Sequence, residues 1–427
     1  MDFFNICEWL TNIISAKYYE RGKEGVIGIL PLKQSMNIKF LKSQEGDKRM
    51  KKFKQTLLLG MLFGVILLAA CGGSDGTSNN TDSESTDETS NEPITLRAAT
   101  GLSAQHMWVE GTMVPWMEKV EELTDDQVKF EFFSGGELVA VPDEAESVLN
   151  GTIDVGLILP IYTLDQYPMA EITMLPLAHS DTLIGSKAWQ ELLESDTELV
   201  DGKTYAEMQF ADFKFFPVAT TEEYSISTTG HEFHSVNDVK GTSLRTPSRI
   251  HEMYSEKIGV NSVTMPAVEM YDSLSRGAFE GSYYSISDWT GYGFQDLFRY
   301  TLRGINFGHF NAFIGMTNET WESLPTNVQE AMEQAYQEVF VPGAELIMDR
   351  STEIIEQNKA DGGKFVDFST LDQEVQDLFN QGIEETWLDY AKLLNEQGLP
   401  GTELVKLWRD LIIKHGGDVP EGVKNIE

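Results

Sequence analysis

Few residues in this chain are placed to do chemistry. Arg245 is one of only eight arginines between Cys71 and Glu427, and it lies on a short predicted strand between the turn at Lys240-Gly241 and Pro247. A guanidinium held on a rigid strand can grip a carboxylate through two parallel hydrogen bonds. By position alone, an ordinary surface arginine is the favoured reading. His231 and His234 stand three apart in HEFH, a spacing that would put two imidazoles on one helical face. Thr228-Thr229-Gly230 and Ser235 around them read as loop, so these are taken as solvated histidines rather than metal ligands. The acid neighbours Asp125-Asp126, Glu144 with Glu146, and Glu222-Glu223 would suit a glycosidase. With 62 carboxylates after residue 70, such neighbours arise by chance and are read as solvated charge. H-E-x-x-H, G-x-G-x-x-G and Walker patterns do not occur, and the G-x-S-x-G string at Gly72 to Gly76 lies in the polar stretch after Cys71 rather than between a strand and a helix, so metal hydrolysis, nucleotide binding and serine esterase chemistry lack their usual marks. No cofactor and no metal is expected.

Composition narrows the partners. The 427 residues are 41 % apolar, enough for one or two substantial cores, and carry 32 basic against 68 acidic side chains for a formal charge of −36. A phosphate backbone would be repelled, so no nucleic acid is expected. Cys7 and Cys71 are too few for a disulfide framework or a cysteine-based metal site.

The front end reads as an address. Met50, Lys51, Lys52 and Lys54 precede the uncharged run Leu57 to Ala70 and then Cys71, the order of a secretory signal peptide. That run is well short of the roughly 20 residues that span a bilayer as a permanent helix. Leu68-Ala69-Ala70-Cys71 resembles the lipobox of bacterial lipoproteins, which implies cleavage before Cys71 and a diacylglyceryl group on its thiol; a buried cysteine in a core helix is the other reading. Residues 1–49 do not fit in front of such a signal, and Met50 is expected to be the true start: Glu45-Gly46-Asp47 can be encoded with a ribosome-binding AAGGAG string. A cytoplasmic extension is the competing view. From Cys71 onward the charge is −41, a soluble, self-repelling surface. Gly72 to Glu92 has no large apolar residue and reads as a tether with a mean span of roughly 25 Å. Anchor and tether together place the protein at the outer face of the membrane.

The remainder alternates strands and helices. Ile94 to Ala99, Val128 to Phe133 and Ile153 to Leu159 read as strands, with helices over Met113 to Leu123, where Pro115 is tolerable in a first turn, and Asp143 to Leu149. This order predicts right-handed crossovers and a largely parallel sheet, with the loops Gly101 to His106 and Pro160 to Thr163 at the ligand end. A second α/β unit follows: strands at Tyr224 to Thr228, Ser243 to Thr246, Ser262 to Met265 and Gly281 to Ser285, and helices at His251 to Ile258 and Val268 to Leu274. From Asn327 the chain should be mostly long helices, the first kinked or broken at Pro342-Gly343.

Asp238-Val239-Lys240-Gly241-Thr242-Ser243-Leu244-Arg245-Thr246-Pro247 resembles the D-L-K-G-x-K-I-R-x-P segment of the solute-binding proteins of tripartite ATP-independent periplasmic (TRAP) transporters, dicarboxylate-binding type. Gly151-Thr152-Ile153-Asp154-Val155-Gly156 resembles that family's G-x-I-D-x-G turn. Glu269, Tyr271, Leu274, Gly277, Glu280 and Gly281 resemble E-x-Y-x-A-L-x-x-G-x-x-D-G. Trp321-Glu322-Ser323-Leu324-Pro325 with Gln329 matches the W-x-x-L-P-x-x-x-Q start of its long helix. These matches fall in order over most of Pro93 to about Asn395.

The resemblance implies an α/β, two-lobed periplasmic-binding-protein-like fold with a hinge and long C-terminal helices. Together with the front-end reading, the chain divides into 1–49 upstream of the start, 50–70 signal peptide, 71–92 lipidated cysteine and acidic tether, 93–218 first lobe with part of the C-terminal region, 219–306 second lobe, and 307–427 return and long helices packing on both lobes. The resemblance also implies that Arg245 pairs with the carboxylate of an organic acid and that the closed complex docks on a two-subunit membrane permease. Where the family often continues its acidic-glycine turn with Gln, Glu, Asn and Pro, this chain has Ser282-Tyr283-Tyr284-Ser285. Tyr283, Tyr284 and Trp289 therefore point to an apolar or ring-bearing acid, with packing against the hinge as the equal alternative. Gln105, His106 and Tyr162 from the first lobe, and Asn311 near the return, are positional candidates for further ligand contacts. Two other functions fit an anchored extracytoplasmic protein: a hydrolase using an acid pair, and a sensory lipoprotein presenting its ligand to a receptor kinase.

Overall fold

The computed structural model describes residues 93–426. The expected upstream extension, the signal peptide, the lipidation of Cys71 and the tether lie outside the described residues.

Two sheets organise the chain. The first has strand order β2-β1-β3-β10-β4, from β1 (Ile94–Ala99), β2 (Val128–Phe133), β3 (Val155–Ile158), β4 (Phe213–Pro217) and β10 (Phe313–Thr317). The β1 to β3 block is parallel, Ile94 pairing Val128 and Ala98 pairing Val155, as alternating strands and helices require. Beyond it the sheet departs from the largely parallel expectation: β10 runs antiparallel to both β3 and β4. The cause is connectivity, since β10 is reached from the second sheet and re-enters from the opposite end. The second sheet has order β11-β9-β5-β8-β6-β7, from β5 (Ser225–Thr228), β6 (Ser243–Thr246), β7 (Asn261–Thr264), β8 (Gly281–Tyr284), β9 (Tyr300–Arg303) and β11 (Lys364–Asp367). Each sheet is the floor of one lobe.

Seven principal helices cover the sheets: α1 (Val114–Leu123), α2 (Glu144–Leu149), α3 (Thr182–Glu194), α4 (Arg249–Ile258), α5 (Thr326–Ala360), α6 (Gln373–Glu396) and α7 (Gly401–Lys414). Pro115 falls in the first turn of α1, where its missing N–H costs nothing, and Trp116, Met117 and Val120 form the buried stripe. Trp116 packs on Phe130 and Phe216 and donates its indole N–H to the Met332 carbonyl of α5 at 3.1 Å. α5 is not broken at Pro342-Gly343; it runs 35 residues without interruption. Gly343 lies so close to the turn at Gly111-Thr112 that a Cβ there would come within 2.6 Å of the Thr112 hydroxyl. That close packing holds the helix through a residue which, alone, would end it. α5 leaves the first lobe and delivers β11 to the second, while α6 packs on α4 and α7 on α3.

The lobes are also joined by residues 218–224 and 304–312, two crossings that pair with each other. Val218 and Thr221 donate to the carbonyls of Ala312 and Phe310, and Tyr224 and Phe307 to those of Gly308 and Tyr224. Gly308 (φ +82°) turns the second crossing so tightly against Met174 that a Cβ would sit 2.4 Å from its backbone. His309 pins the pair: Nδ1 lies 2.8 Å from the Thr221 carbonyl and Nε2 2.8 Å from the Ser180 hydroxyl. Burial pushes that imidazole down to about 4, so it bridges as a neutral group.

Candidate functional site

The local sequence around Arg245 builds a stiff mount. Ser235 and Asp238 form a reciprocal capping box on the short helix Val236–Val239, Asp238 accepting from the Ser235 N–H at 2.8 Å and its hydroxyl at 2.9 Å. Gly241 (φ +83°) then turns the chain into β6, which is flanked by parallel partners on both sides, Arg245 standing opposite Val263 and Ser282. The Arg245 side chain is fully buried and its Nε donates to the Met265 carbonyl at 2.8 Å. Nη1 and Nη2 have no partner among the described residues. The guanidinium lies 5.7 Å from the centre of the Tyr284 ring.

Tyr284 is one wall of a narrow cavity between the lobes. The first lobe supplies His106 and Tyr162 from the loops after β1 and β3. The crossings supply Tyr224 and Phe310, and the second lobe Pro266 to Val268, Asp288 and Tyr292. The rings are interlocked: Tyr224 stacks on Phe310 and tilts against Tyr284, Tyr162 packs on Phe310, and Tyr292 meets Tyr284 edge-on. Burial, and then neighbouring charges and phenols, push the hydroxyls of Tyr224, Tyr284 and Tyr292 well above their ordinary value; Arg245 pulls Tyr224 and Tyr292 back. Both are therefore within reach of the guanidinium field.

Asp288 faces this space while 3 % exposed. Its Oδ2 accepts the Tyr284 O–H at 2.6 Å and lies 3.3 Å from His106 Nε2. His106 Nδ1 accepts the Trp108 backbone N–H at 3.2 Å, which leaves the ring proton on the nitrogen facing Asp288. Next to it, Glu222 of the first crossing accepts the Ser287 N–H at 2.6 Å and its hydroxyl at 2.5 Å. Burial lifts Glu222 to about 7 against those bonds. Beneath the loop after β1, Glu144 accepts from the Thr100 hydroxyl and the Gly101 N–H, both at 2.7 Å, and burial raises it well above the carboxylate range. Glu144 and Glu222 are thus not the solvated charges expected of them; each is buried and holds a segment that borders the cavity.

Of the candidates named from sequence, His106, Tyr162 and Tyr284 line the cavity and Arg245 lies against its Tyr284 wall. Tyr283 does not line it: adjacent residues of a strand face opposite ways, and its ring packs on His251, Tyr254 and Phe307 while its hydroxyl accepts from Ser255 at 3.0 Å. Trp289 is buried against Phe298 and Phe365. Gln105 is exposed, its carbonyl taken by Arg350 at 3.0 Å. Asn311 is buried in the crossing, its amide donating to the Ala170 carbonyl and the Thr173 hydroxyl, with Oδ1 unpartnered. Sequence reasoning missed Tyr224, Tyr292, Phe310 and Asp288, which come from three separate segments. Among the described residues no group of three or more His, Cys, Asp or Glu is set to hold a metal.

Comparison with known proteins places this geometry. The family described as bacterial extracellular solute-binding protein, family 7, matches residues 98–392. A monocarboxylate 2-oxoacid-binding periplasmic protein of Nostoc sp. is 27 % identical over 233 residues, which are 52 % of this chain and 58 % of that protein, so the chain spans little more than half of that relative. A marine-metagenome TRAP solute-binding protein specific for aromatic acid ligands, solved with metahydroxyphenylacetate, superposes with TM-score 0.68 at 21 % identity, covering 76 % of this chain and 99 % of that one. A TRAP solute-binding protein of Rhodoferax ferrireducens, solved with copurified benzoate, gives TM-score 0.65 at 18 % identity over 75 % and 98 %. These superpositions show a shared two-lobed fold.

Proposed function

This chain belongs to family 7 of the bacterial extracellular solute-binding proteins, and from that premise we propose that it captures an organic acid outside the cytoplasm and passes it to a TRAP-type secondary transporter. The observation that carries the reading is Arg245: a fully buried cation with Nη1 and Nη2 unpartnered, against the wall of a cavity built from both lobes. An unpaired buried charge is costly, and a carboxylate accepting two parallel hydrogen bonds is the complement that relieves it. Tyrosine, phenylalanine and tryptophan walls favour an acid with an apolar or ring-bearing body. The names of the Nostoc relative and of the aromatic-acid binders support a carboxylate ligand. Closure of the lobes about the paired crossings would exclude water and strengthen the pair. In this reading Cys71 carries the lipid that keeps the protein at the outer face of the membrane, and a two-subunit permease receives the closed complex.

Titration calorimetry of the purified protein against aromatic, keto and dicarboxylic acids tests the reading. At least one acid is expected to bind, and Arg245→Ala to weaken it by roughly 2–5 kcal/mol, about 30-fold or more, with Arg245→Lys intermediate. Binding of an acid that ignores both substitutions would defeat the assignment of Arg245.

A further inference from the structure

Two charged side chains flank this cavity, Asp288 in its lining and Arg245 behind its Tyr284 wall. Arg245 stands behind the Tyr284 ring, and Asp288 is held at that ring's hydroxyl. Tyr224, Tyr284 and Tyr292 all feel the charge of Asp288. Around the gap stand four phenols, Tyr162, Tyr224, Tyr284 and Tyr292, each close enough to another to shift it.

Charge then decides what fits. Arg245 brings a guanidinium and Asp288 a carboxyl group, and His106 turns its Nε2 to Asp288. A simple carboxylate on Arg245 would leave Asp288 with the Tyr284 hydroxyl and the His106 ring on one oxygen and no partner among the described residues for the other. Glu222, buried next to Ser287 and half ionised near pH 7, adds to the negative side and never to the positive. A second carboxylate on the ligand would be repelled outright. A ligand carrying a cation beyond its carboxylate leaves both side chains paired, and the ring faces that line the gap attract that cation a second time.

We propose that the preferred ligand is a zwitterion, its carboxylate on Arg245 and its ammonium-type cation between Asp288 and the tyrosine faces. This assignment rests on the carboxylate reading above and narrows it. The cation can be quaternary, held by the rings alone, or a protonated amine that also donates to Asp288; the shared requirement is positive charge.

Matched acids test it by titration calorimetry on the purified protein. Trimethylammonioacetate is compared with its carbon isostere tert-butylacetate, and meta-aminomethylbenzoate with meta-ethylbenzoate and meta-hydroxymethylbenzoate. In at least one set the cationic member is expected to bind about tenfold or more tightly than its neutral-ended isostere. Asp288→Asn is expected to erase or invert that ratio while Arg245→Ala weakens every member. Equal binding of charged and uncharged isosteres, or a hydroxymethyl acid as good as the aminomethyl one, overturns the zwitterion assignment and leaves the carboxylate reading intact. Equal ratios in the wild type and Asp288→Asn overturn it too. If no member of either set binds and no other acid does, the carboxylate reading itself fails. The wild-type ratio alone decides the matter should Asp288→Asn not fold.

Discussion

Two arginines four residues apart sit in opposite surroundings. Arg249, at the start of α4, puts Nε 2.7 Å from Glu171 and Nη2 3.2 Å from the Pro168 carbonyl, and the Ile250 N–H closes on the other carboxylate oxygen at 3.3 Å. Arg245, on β6, meets one carbonyl and leaves two nitrogens unpaired. The hinge-side arginine brings its own carboxylate from the first lobe; the cavity-side arginine lacks one. A buried cation whose partner is built in belongs to the architecture, and one without a partner among the described residues is the one we assign to the ligand.

Removing the built-in partner is the most direct test of this contrast. Glu171 is fully buried, and burial raises its carboxyl above the ordinary value even though Arg249 pulls it down. Glu171→Ala would strand Arg249, whose side chain is 27 % exposed and keeps the Pro168 carbonyl, and should cost roughly 2 kcal/mol of folding stability. Acid binding by the folded fraction should stay close to that of the wild type. Urea unfolding followed by titration calorimetry separates the two effects. A variant that keeps its stability but loses ligand would mean that Arg249, and not Arg245, is the ligand arginine.

The second test concerns Glu222, a buried carboxylate that accepts from the N–H and the hydroxyl of Ser287. Its folded value near 7 lies above the ordinary 4.5, so the folded state holds its proton longer than the unfolded chain does. Stability from this group is therefore full below pH 4.5 and is lost as pH rises through about 7, by about 3 kcal/mol in all. Glu222→Gln, which keeps an acceptor for the Ser287 N–H, should flatten this part of the stability profile between those limits. A parallel profile in the variant would show that Glu222 is ionised throughout and that the cavity side carries more negative charge than its burial allows.

Much of this contrast was open to sequence reasoning and part of it was closed. Strands β1 and β2 and the helical C-terminal third were legible because local periodicity dictates them. The antiparallel insertion of β10 was not, because it follows from the chain returning from another sheet. Arg245 was singled out by the segment around it, but its complete burial on β6 was not foreseen. Tyr283 and Tyr284 were indistinguishable as neighbours in sequence, although strand alternation dictates that they face opposite ways; packing against His251 and Phe307 decides which one turns to the core. Asp288, Tyr224 and Tyr292 had no local signal, since their meaning arises only when the crossing and the segment after β8 meet. Glu144 and Glu222 were hidden for the opposite reason: in a chain with 62 acids after residue 70, a buried carboxylate looks like any other.

The mildest test separates the ring of Tyr284 from its hydroxyl. The ring offers a face to Arg245 at 5.7 Å, and the hydroxyl donates to Asp288 at 2.6 Å. Tyr284→Phe keeps the face and removes the donor, so Asp288 is less screened and repels a bound carboxylate more strongly. For an acid with no cationic group the expected loss is about threefold, roughly 0.6 kcal/mol, well below that of Arg245→Ala. Titration calorimetry with the tightest such acid measures it. A loss as large as that of Arg245→Ala would instead place the Tyr284 hydroxyl on the ligand carboxylate. The cavity-side arginine would then have a protein donor beside it in gripping the ligand, and the contrast with Arg249 would become one of how many groups share an anion, since both arginines would be holding one.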